Sequence, residues 1–371
     1  MNIAFDAKRA FHNTRGLGNY SRDTLRLLSS YYPDNTLFLF NPSSKRDLVF
    51  PLSKNMIEVN PPSPMGQLFS SIWRSYGMCS QIQSIKPDIY HGLSQELPLG
   101  IKKTGVKTVV TMHDAIFMRY PELYSASYRS IFIRKNKYAC RVADRIIAIS
   151  EQTKRDIVQF FNADERKIHV IYQGCNSIFR QPVSTEKIKA VQEKYQLPGQ
   201  YLLTVGAIEI RKNTALILEA MHRYRLDIPL LVIGKPTPYL NELQTLVQQY
   251  GMEQQVKFIH HAETIDLPAI YSLAKIFVYP SLFEGFGIPI LEALCSGTPV
   301  VSSKGSCFEE TGGPCSRYID PQNADELGEV LTCLLRDDAA LDRMTREGLT
   351  FADKFSDKQI AQDLMQVYLT L

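Results

Sequence analysis

The chain has 371 residues, 44% hydrophobic and 22% charged, with a formal net charge of +4; this is the make-up of a soluble globular protein, too long for one comfortable core and predicted to form two domains. No run of roughly eighteen uncharged apolar residues occurs, which excludes a transmembrane helix, and the N-terminus MNIAFDAKRAF lacks an apolar signal core. The seven cysteines are scattered without a C-x2-C pair, which argues against a disulfide framework or a zinc site and predicts reduced thiols in the cytoplasm.

Short apolar or β-branched runs alternate with longer amphipathic ones, the signal for a parallel α/β architecture. In the first half strands are predicted at Ile3–Phe5, Leu37–Phe40, Asp88–Tyr90, Thr108–Met112, Arg145–Ile149 and His169–Ile171. The helices between them are Asn19–Leu28, Leu68–Ile85, Ala126–Arg141 and Thr153–Phe161. Gly16-Leu17-Gly18-Asn19-Tyr20 lies ten residues beyond the first strand, with Ser21 at the third-glycine position. A dinucleotide site needs a tight turn straight off the strand, so this spacing opposes one. His91 and His113-Asp114 both follow strands, and Ser150 reads as the N-cap of the next helix.

Gln173–Leu197 lacks a convincing strand and carries Gly174 and Pro182, which sets the domain boundary there. The predicted domains are residues 1–175 and 183–355, followed by a terminal helix over 356–371 with apolar Ile360, Leu364, Val367 and Tyr368 at helical spacing. Strands of the second half are predicted at Tyr201–Val205, Pro229–Ile233, Val256–Ile259, Ile276–Tyr279 and Pro299–Ser302. Its helices are Thr214–Arg225, Leu240–Tyr250, Leu267–Leu273 and Pro289–Leu294. His260 and His261 are adjacent, so they would point apart in a strand, and no metal site is read there.

Charge divides with the halves. Residues 1–180 hold 25 Lys and Arg against 14 Asp and Glu, and the remainder holds 17 against 24. A basic first half fits an anionic partner: a membrane surface, a pyrophosphate-linked lipid or nucleic acid. The helix from Ser127 to Arg141 interleaves Arg129, Arg134, Lys135, Lys137 and Arg141 with Tyr128, Phe132 and Tyr138; it suits either an anionic membrane or a solvated face.

The most informative segment is Pro280–Val301, PSLFEGFGIPILEALCSGTPVV. A strand ends in a Pro-Ser turn, Glu284 follows, and Gly285-Phe286-Gly287 leads to Pro289, a residue favoured in a first helical turn. Free backbone N–H groups and the helix dipole at such a turn make an anion site. Two carboxylates, Glu284 and Glu292, stand eight residues apart beside it. A ligand with a phosphate and several hydroxyls matches that set. Upstream, Val205-Gly206-Ala207 leads to Arg211-Lys212-Asn213, a cationic pair at a predicted helix start that can neutralise a diphosphate.

The segment resembles the E-x7-E signature of retaining glycosyltransferases of family 4, also called group 1, and Arg211-Lys212-Asn213 resembles that family's RKN turn. The likeness runs in order along nearly the whole chain: glycine loop, strand then His-Asp, Ser-Glu helix, RKN, E-x7-E. It implies a GT-B fold, two Rossmann-like domains facing across a central cleft, with a C-terminal helix crossing back to the N-terminal domain. It implies donor contacts from Arg211, Lys212, Glu292, Gly285, Phe286, Gly287, Ile288, Gly16 and Gly18, with Glu284 and His113 at the transferring sugar. Glu309 resembles a downstream Pro-Glu element, with Phe308 in place of the proline. The implied activity is hexose transfer from a nucleoside-diphosphate sugar to a glycan or lipid-linked glycan in cell-surface polysaccharide synthesis, with retention and without a metal or other cofactor. The strings FDAKRAF, GLGNY and HDAIF are similar to O-antigen mannosyltransferases, favouring GDP-mannose. The implied setting is cytoplasmic, peripheral on the inner face of the plasma membrane, with no nucleic-acid partner. Two rivals remain at this level: a nucleotide-dependent oxidoreductase, opposed by the displaced glycine loop, and a non-catalytic nucleotide-sugar binder, opposed by the intact Glu284, Arg211 and Lys212.

Overall fold

The computed structural model describes residues 1–43, 50–62 and 72–371. The chain divides into two compact units, Met1–Gln173 with Ser356–Leu371, and Gly174–Phe355. Each is a fully parallel sheet flanked by helices, the α/β architecture that the alternating pattern predicts.

The first unit holds β1 (Asn2–Asp6), β2 (Thr36–Phe40), β3 (Met56–Val59), β4 (Ile89–Gly92), β5 (Lys107–Met112), β6 (Arg145–Ala148) and β7 (Ile168–Val170), in the order β3-β2-β1-β4-β5-β6-β7. Both faces of such a sheet are covered, so its strands read as continuous apolar runs. Successive residues serve opposite faces. Ile3 and Phe5 pack with Leu25 and Leu28 of α1 (Gly16–Tyr31), and Ala4 packs with Tyr90, Val110 and Ile146 on the other side. That second face is covered by α2 (Met78–Ile85) and α3 (Ala126–Val142). The next helix, α4 (Glu151–Phe161), starts at Ser150, whose Oγ accepts the Thr153 N–H at 2.9 Å. Of the predicted helix Leu68–Ile85, residues 68–71 lie outside the described residues, and Trp73–Gly77 is wound as a wider π-helical turn. The terminal helix (Asp357–Leu369) belongs to this unit: Ile360, Leu364, Val367 and Tyr368 are buried against the face that carries α1.

The second unit holds β8 (Tyr201–Val205), β9 (Leu230–Ile233), β10 (Val256–Ile259), β11 (Ala274–Tyr279), β12 (Val300–Ser303) and β13 (Arg317–Ile319), in the order β10-β9-β8-β11-β12-β13. Its helices are α5 (Thr185–Tyr195), α6 (Thr214–Tyr224), α7 (Tyr239–Gln249), α8 (Leu267–Leu273), α9 (Ile288–Cys295), α10 (Ala324–Leu335) and α11 (Asp338–Ala352). The structure adds β3, β13, α5, α10 and α11 to the predicted elements. Both added strands are short edge strands, which have one neighbour and need no long apolar run. In each sheet the chain reverses its direction of winding beside the first strand, between β1 and β4 and between β8 and β11. Ligands of open parallel sheets bind outside the carboxyl ends of the strands at such switch points.

Candidate active site

The carboxyl ends of β8 and β11 carry the residues singled out by the sequence. After β11, Pro280 and Ser281 turn the chain and Glu284 is folded back into the protein, 9% exposed. After β8, a short turn places Arg211 and Lys212 ahead of α6. Asn213 occupies the left-handed region at φ 58° and ties the two turns together, its Nδ2 donating to the carbonyls of Pro280 at 3.1 Å and Pro321 at 2.8 Å. The Leu282 N–H donates to the Arg211 carbonyl at 2.9 Å, and Ser281 Oγ lies 3.0 Å from the same oxygen. The sequence signal RKN is thus a stitched corner as well as a pair of charges.

One carboxylate oxygen organises the cluster. Glu284 Oε1 lies 2.6 Å from Lys212 Nζ and 2.6 Å from Arg211 Nη1, and it accepts the hydroxyls of Ser281 at 2.7 Å and Tyr279 at 3.1 Å. Lys212 Nζ also bonds the Tyr279 hydroxyl. Burial alone would raise the Glu284 pKa, but the charges of Lys212 and Arg211 outweigh it and hold the carboxyl at about 2. Burial lowers the Lys212 ammonium, helped by the Arg211 charge and opposed by Glu284. At neutral pH Glu284 is therefore ionised. Tyr279 and Ser281 are the residues that sequence reasoning passed over. Their signal was the pair of hydroxyls in Tyr279-Pro280-Ser281, with Ser281 three positions before the glutamate.

The glycine turn has divided duties. Phe286 is a core residue, 2% exposed, with its ring edge-on to Phe355 at 5.6 Å, and its carbonyl accepts the Thr311 hydroxyl. Its side chain is therefore committed to packing, and any ligand contact at this residue belongs to the backbone. Gly287 is the N-cap of α9 at φ 89°, a left-handed conformation open to glycine at no steric cost. Gly285 and Ile288 beside it remain partly exposed, whereas the Ile290 N–H is already donated to the Gly287 carbonyl at 2.9 Å. Glu292 lies one turn into α9 and is bonded to Tyr271 instead of the cations, its Oε2 accepting that hydroxyl at 3.0 Å. Burial pushes the Glu292 carboxyl up to about 7, with the Tyr271 bond acting in the opposite sense. The two glutamates share a loop and helix but differ sharply in charge state. Phe308, in the proline position of the downstream element, fills the core beside Tyr279, and Glu309 is exposed.

The remaining predicted residues belong to the first unit. Gly16 is the first residue of α1, and the space beside its Cα is open. Gly18 has no such freedom: a Cβ there would stand 1.8 Å from the Asn13 carbonyl oxygen. His113, 5% exposed, follows β5, and its Nε2 lies 2.8 Å from the Leu93 carbonyl. A carbonyl can only accept, so Nε2 carries the proton and Nδ1 presents a lone pair in the neutral ring. Burial pushes the imidazole down to about 4, opposed by the Leu93 bond. The Tyr20 ring of α1 meets it edge-on at 4.7 Å. His91 is fully buried between Tyr368 (Nδ1 to hydroxyl, 2.6 Å) and Thr111 (Nε2 to hydroxyl, 2.8 Å), a structural histidine that fixes the terminal helix on the sheet. Among the described residues no cluster of His, Cys, Asp and Glu is suited to hold a metal, and no helix is long and apolar enough to cross a membrane.

Residues 185–350 match the family described as Glycosyl transferases group 1, and residues 16–177 match Glycosyltransferase Family 4. The chain is similar to O-antigen chain mannosyltransferase B of Escherichia coli, with 28% identity over 389 residues and the whole of both chains covered. It is also 29% identical to the serotype-specific mannosyltransferase WbdA of the same organism, over 74% of this chain but 36% of that protein. Among solved structures, Anabaena Alr3699/HepE in complex with UDP-glucose superposes with a TM-score of 0.74 at 18% identity, each chain covered in full. That likeness extends over both units and is one of fold.

Proposed function

Taking as premise that the chain belongs to the group 1 and family 4 glycosyltransferases and has their GT-B fold, we propose that it transfers a mannosyl unit from a nucleoside-diphosphate sugar, GDP-mannose in the first instance, to a growing surface glycan. The observation that carries this reading is the shared contact of Arg211, Lys212 and Glu284 at the β8–β11 switch point, beside the N-terminus of α9.

The diphosphate lies on Arg211, Lys212 and the amides around Phe286–Ile288, and the ribose hydroxyls reach Glu292. As the bond from sugar to phosphate breaks, negative charge grows on the leaving diphosphate and positive charge on the sugar. Two cations and a helix N-terminus already oriented toward the first charge stabilise it without reorganisation, so no divalent ion is required. Glu284, ionised because Lys212 and Arg211 hold it so, supplies a fixed negative field near the second. Neutral His113 accepts a sugar hydroxyl through Nδ1, with its tautomer set by Leu93. Retention follows when the acceptor attacks from the face that the diphosphate leaves. The work takes place on the cytoplasmic side, with the basic first domain toward the membrane that carries the acceptor.

A thermal-shift series with GDP, UDP, ADP and their mannosyl and glucosyl forms tests the reading. A guanosine diphosphate and its mannosyl form should raise the midpoint most. Absence of a shift with every nucleoside diphosphate would contradict the proposal.

A further inference from the structure

Seven free cysteines are spread along the chain, and two of them meet inside the second unit. Cys175 is the second residue of that unit, just past the point where the chain leaves the first, and Cys295 is the last residue of α9. Both are buried, 3% and 8% exposed, and the Cys175 thiol donates to Cys295 Sγ at 3.4 Å across 120 residues of sequence. That bond lowers the Cys295 thiol below the ordinary cysteine range, with burial opposing and the Arg180 charge assisting. The same bond, and burial after it, raise Cys175. One sulfur therefore ionises more readily and the other stands beside it, the arrangement of an attacking and a resolving cysteine.

Two routes join this pair to Glu292. Cys295 follows Glu292 by three positions in α9, so the two occupy neighbouring places on one helix. Cys175 leads into the turn Ser177–Arg180, where the buried Phe179 ring meets Tyr271 edge-on at 5.8 Å, and Tyr271 is the residue whose hydroxyl holds Glu292. Arg180 anchors the far end of the turn, its Nη2 donating to the carbonyls of Ala352 at 2.9 Å and Phe355 at 3.0 Å.

We propose that Cys175 and Cys295 form a peroxide-sensitive modification site, closing to a disulfide that displaces Glu292 and weakens the binding of nucleoside diphosphate. The Cys295 thiolate attacks one oxygen of hydrogen peroxide; the O–O bond breaks, leaving a sulfenic acid and a hydroxide that takes up the proton Cys295 lost. The Cys175 sulfur then attacks the Cys295 sulfur, the S–O bond breaks, and the departing hydroxyl leaves as water with the Cys175 proton. Two thiols are oxidised to one disulfide and one peroxide is reduced to two waters. Peroxide is little larger than water, which suits sulfurs this buried. Closing the bond draws the segment after Cys175 and the end of α9 together, and both of them position Glu292. The cross-link stands apart from the glycosyl-transfer reading, whereas its effect on the nucleotide rests on that reading.

The test uses the full-length protein, reduced, freed of reductant, treated with hydrogen peroxide and alkylated, with its peptides weighed before and after dithiothreitol. A Cys175–Cys295 peptide pair two hydrogens lighter than its separate thiol peptides, and cleaved by dithiothreitol, is the expected result. It should form equally in Cys333→Ser, which removes an exposed thiol outside the pair. Calorimetric titration should show GDP bound about tenfold more weakly after peroxide, as when one hydrogen bond to a charged group is lost, with recovery in dithiothreitol. In Cys175→Ser, and in Cys175→Ala should a buried hydroxyl impair folding, peroxide should leave GDP affinity unchanged. Cys295 recovered as free thiol or sulfinic acid with no link to Cys175 would overturn the proposal, as would equal GDP affinity in the linked and reduced proteins. Failure of the donor reading is distinguishable, because it shows as no GDP binding by the reduced protein, whereas failure of the cross-link shows in the peptide masses.

Discussion

Replacing Glu284 by glutamine tests the electrostatic core of the site. The carboxyl is held at about 2, against an ordinary value of 4.5, which corresponds to about 3 kcal/mol in favour of the ionised form. Glu284 is 9% exposed, so solvent screening takes little of this away. The folded value is depressed; the stabilisation is therefore fully present above pH 4.5 and is lost as the pH falls through about 2. Glutamine keeps the shape but leaves the buried Lys212 without its counter-charge, the costly way to break a buried pair. Glu284→Gln should accordingly unfold about 3 kcal/mol more easily than wild type near pH 7, and urea titrations read at a series of pH values should show the gap closing between pH 4.5 and 2. Because Glu284 is assigned to the sugar and not to the diphosphate, the same variant should bind free nucleoside diphosphate nearly as well as wild type and lose turnover instead. Equal stability of the two proteins at neutral pH, or a gap that does not change with pH, would refute the reasoning.

Arg211→Ala and Lys212→Ala should each weaken nucleoside-diphosphate binding by about 1.5–3 kcal/mol, the worth of a charge-assisted bond; calorimetric titrations that match wild type would place the clamp elsewhere. Glu292, raised to about 7 by burial, is part protonated at neutral pH, and ribose hydroxyls favour its ionised form. Nucleotide binding near pH 6–7 should therefore release protons, detectable as a buffer-dependent heat that Glu292→Gln abolishes. A heat that is independent of the buffer in wild type contradicts the ribose role. Transfer activity should survive excess chelator, because two cations and a helix terminus carry the leaving-group charge; complete loss with EDTA and rescue by manganese or magnesium would remove that part of the mechanism.

The sequence made the two-sheet architecture legible because parallel strands are buried on both faces and stand out as apolar runs, as at Ile3–Phe5 and Ile276–Tyr279. It concealed β3 and β13, whose edge positions ask little of composition, and it hid α5, because Gly174 and Pro182 made the segment read as linker although Ser184 caps a full helix with an Oγ that accepts the Lys187 N–H. Spacing identified Glu284, Arg211 and Lys212 but gave them separate tasks, sugar and diphosphate. Only three-dimensional structure brings them onto one carboxylate oxygen, through contacts of 2.6 Å each, that from Lys212 spanning 72 residues of sequence. Phe286 shows the converse: an aromatic between two glycines looks like a ligand contact, yet its ring is core packing against Phe355.

The measurement that bears most directly on the account is real-time proton NMR of the full-length protein with GDP-mannose and an α-mannoside acceptor, following the anomeric signals of the first product formed. The account predicts consumption of the donor, release of GDP, and a new glycosidic bond with the donor's own anomeric configuration. Inverted configuration in that first product, or a donor that binds at Arg211 and Lys212 and is never transferred, would contradict it.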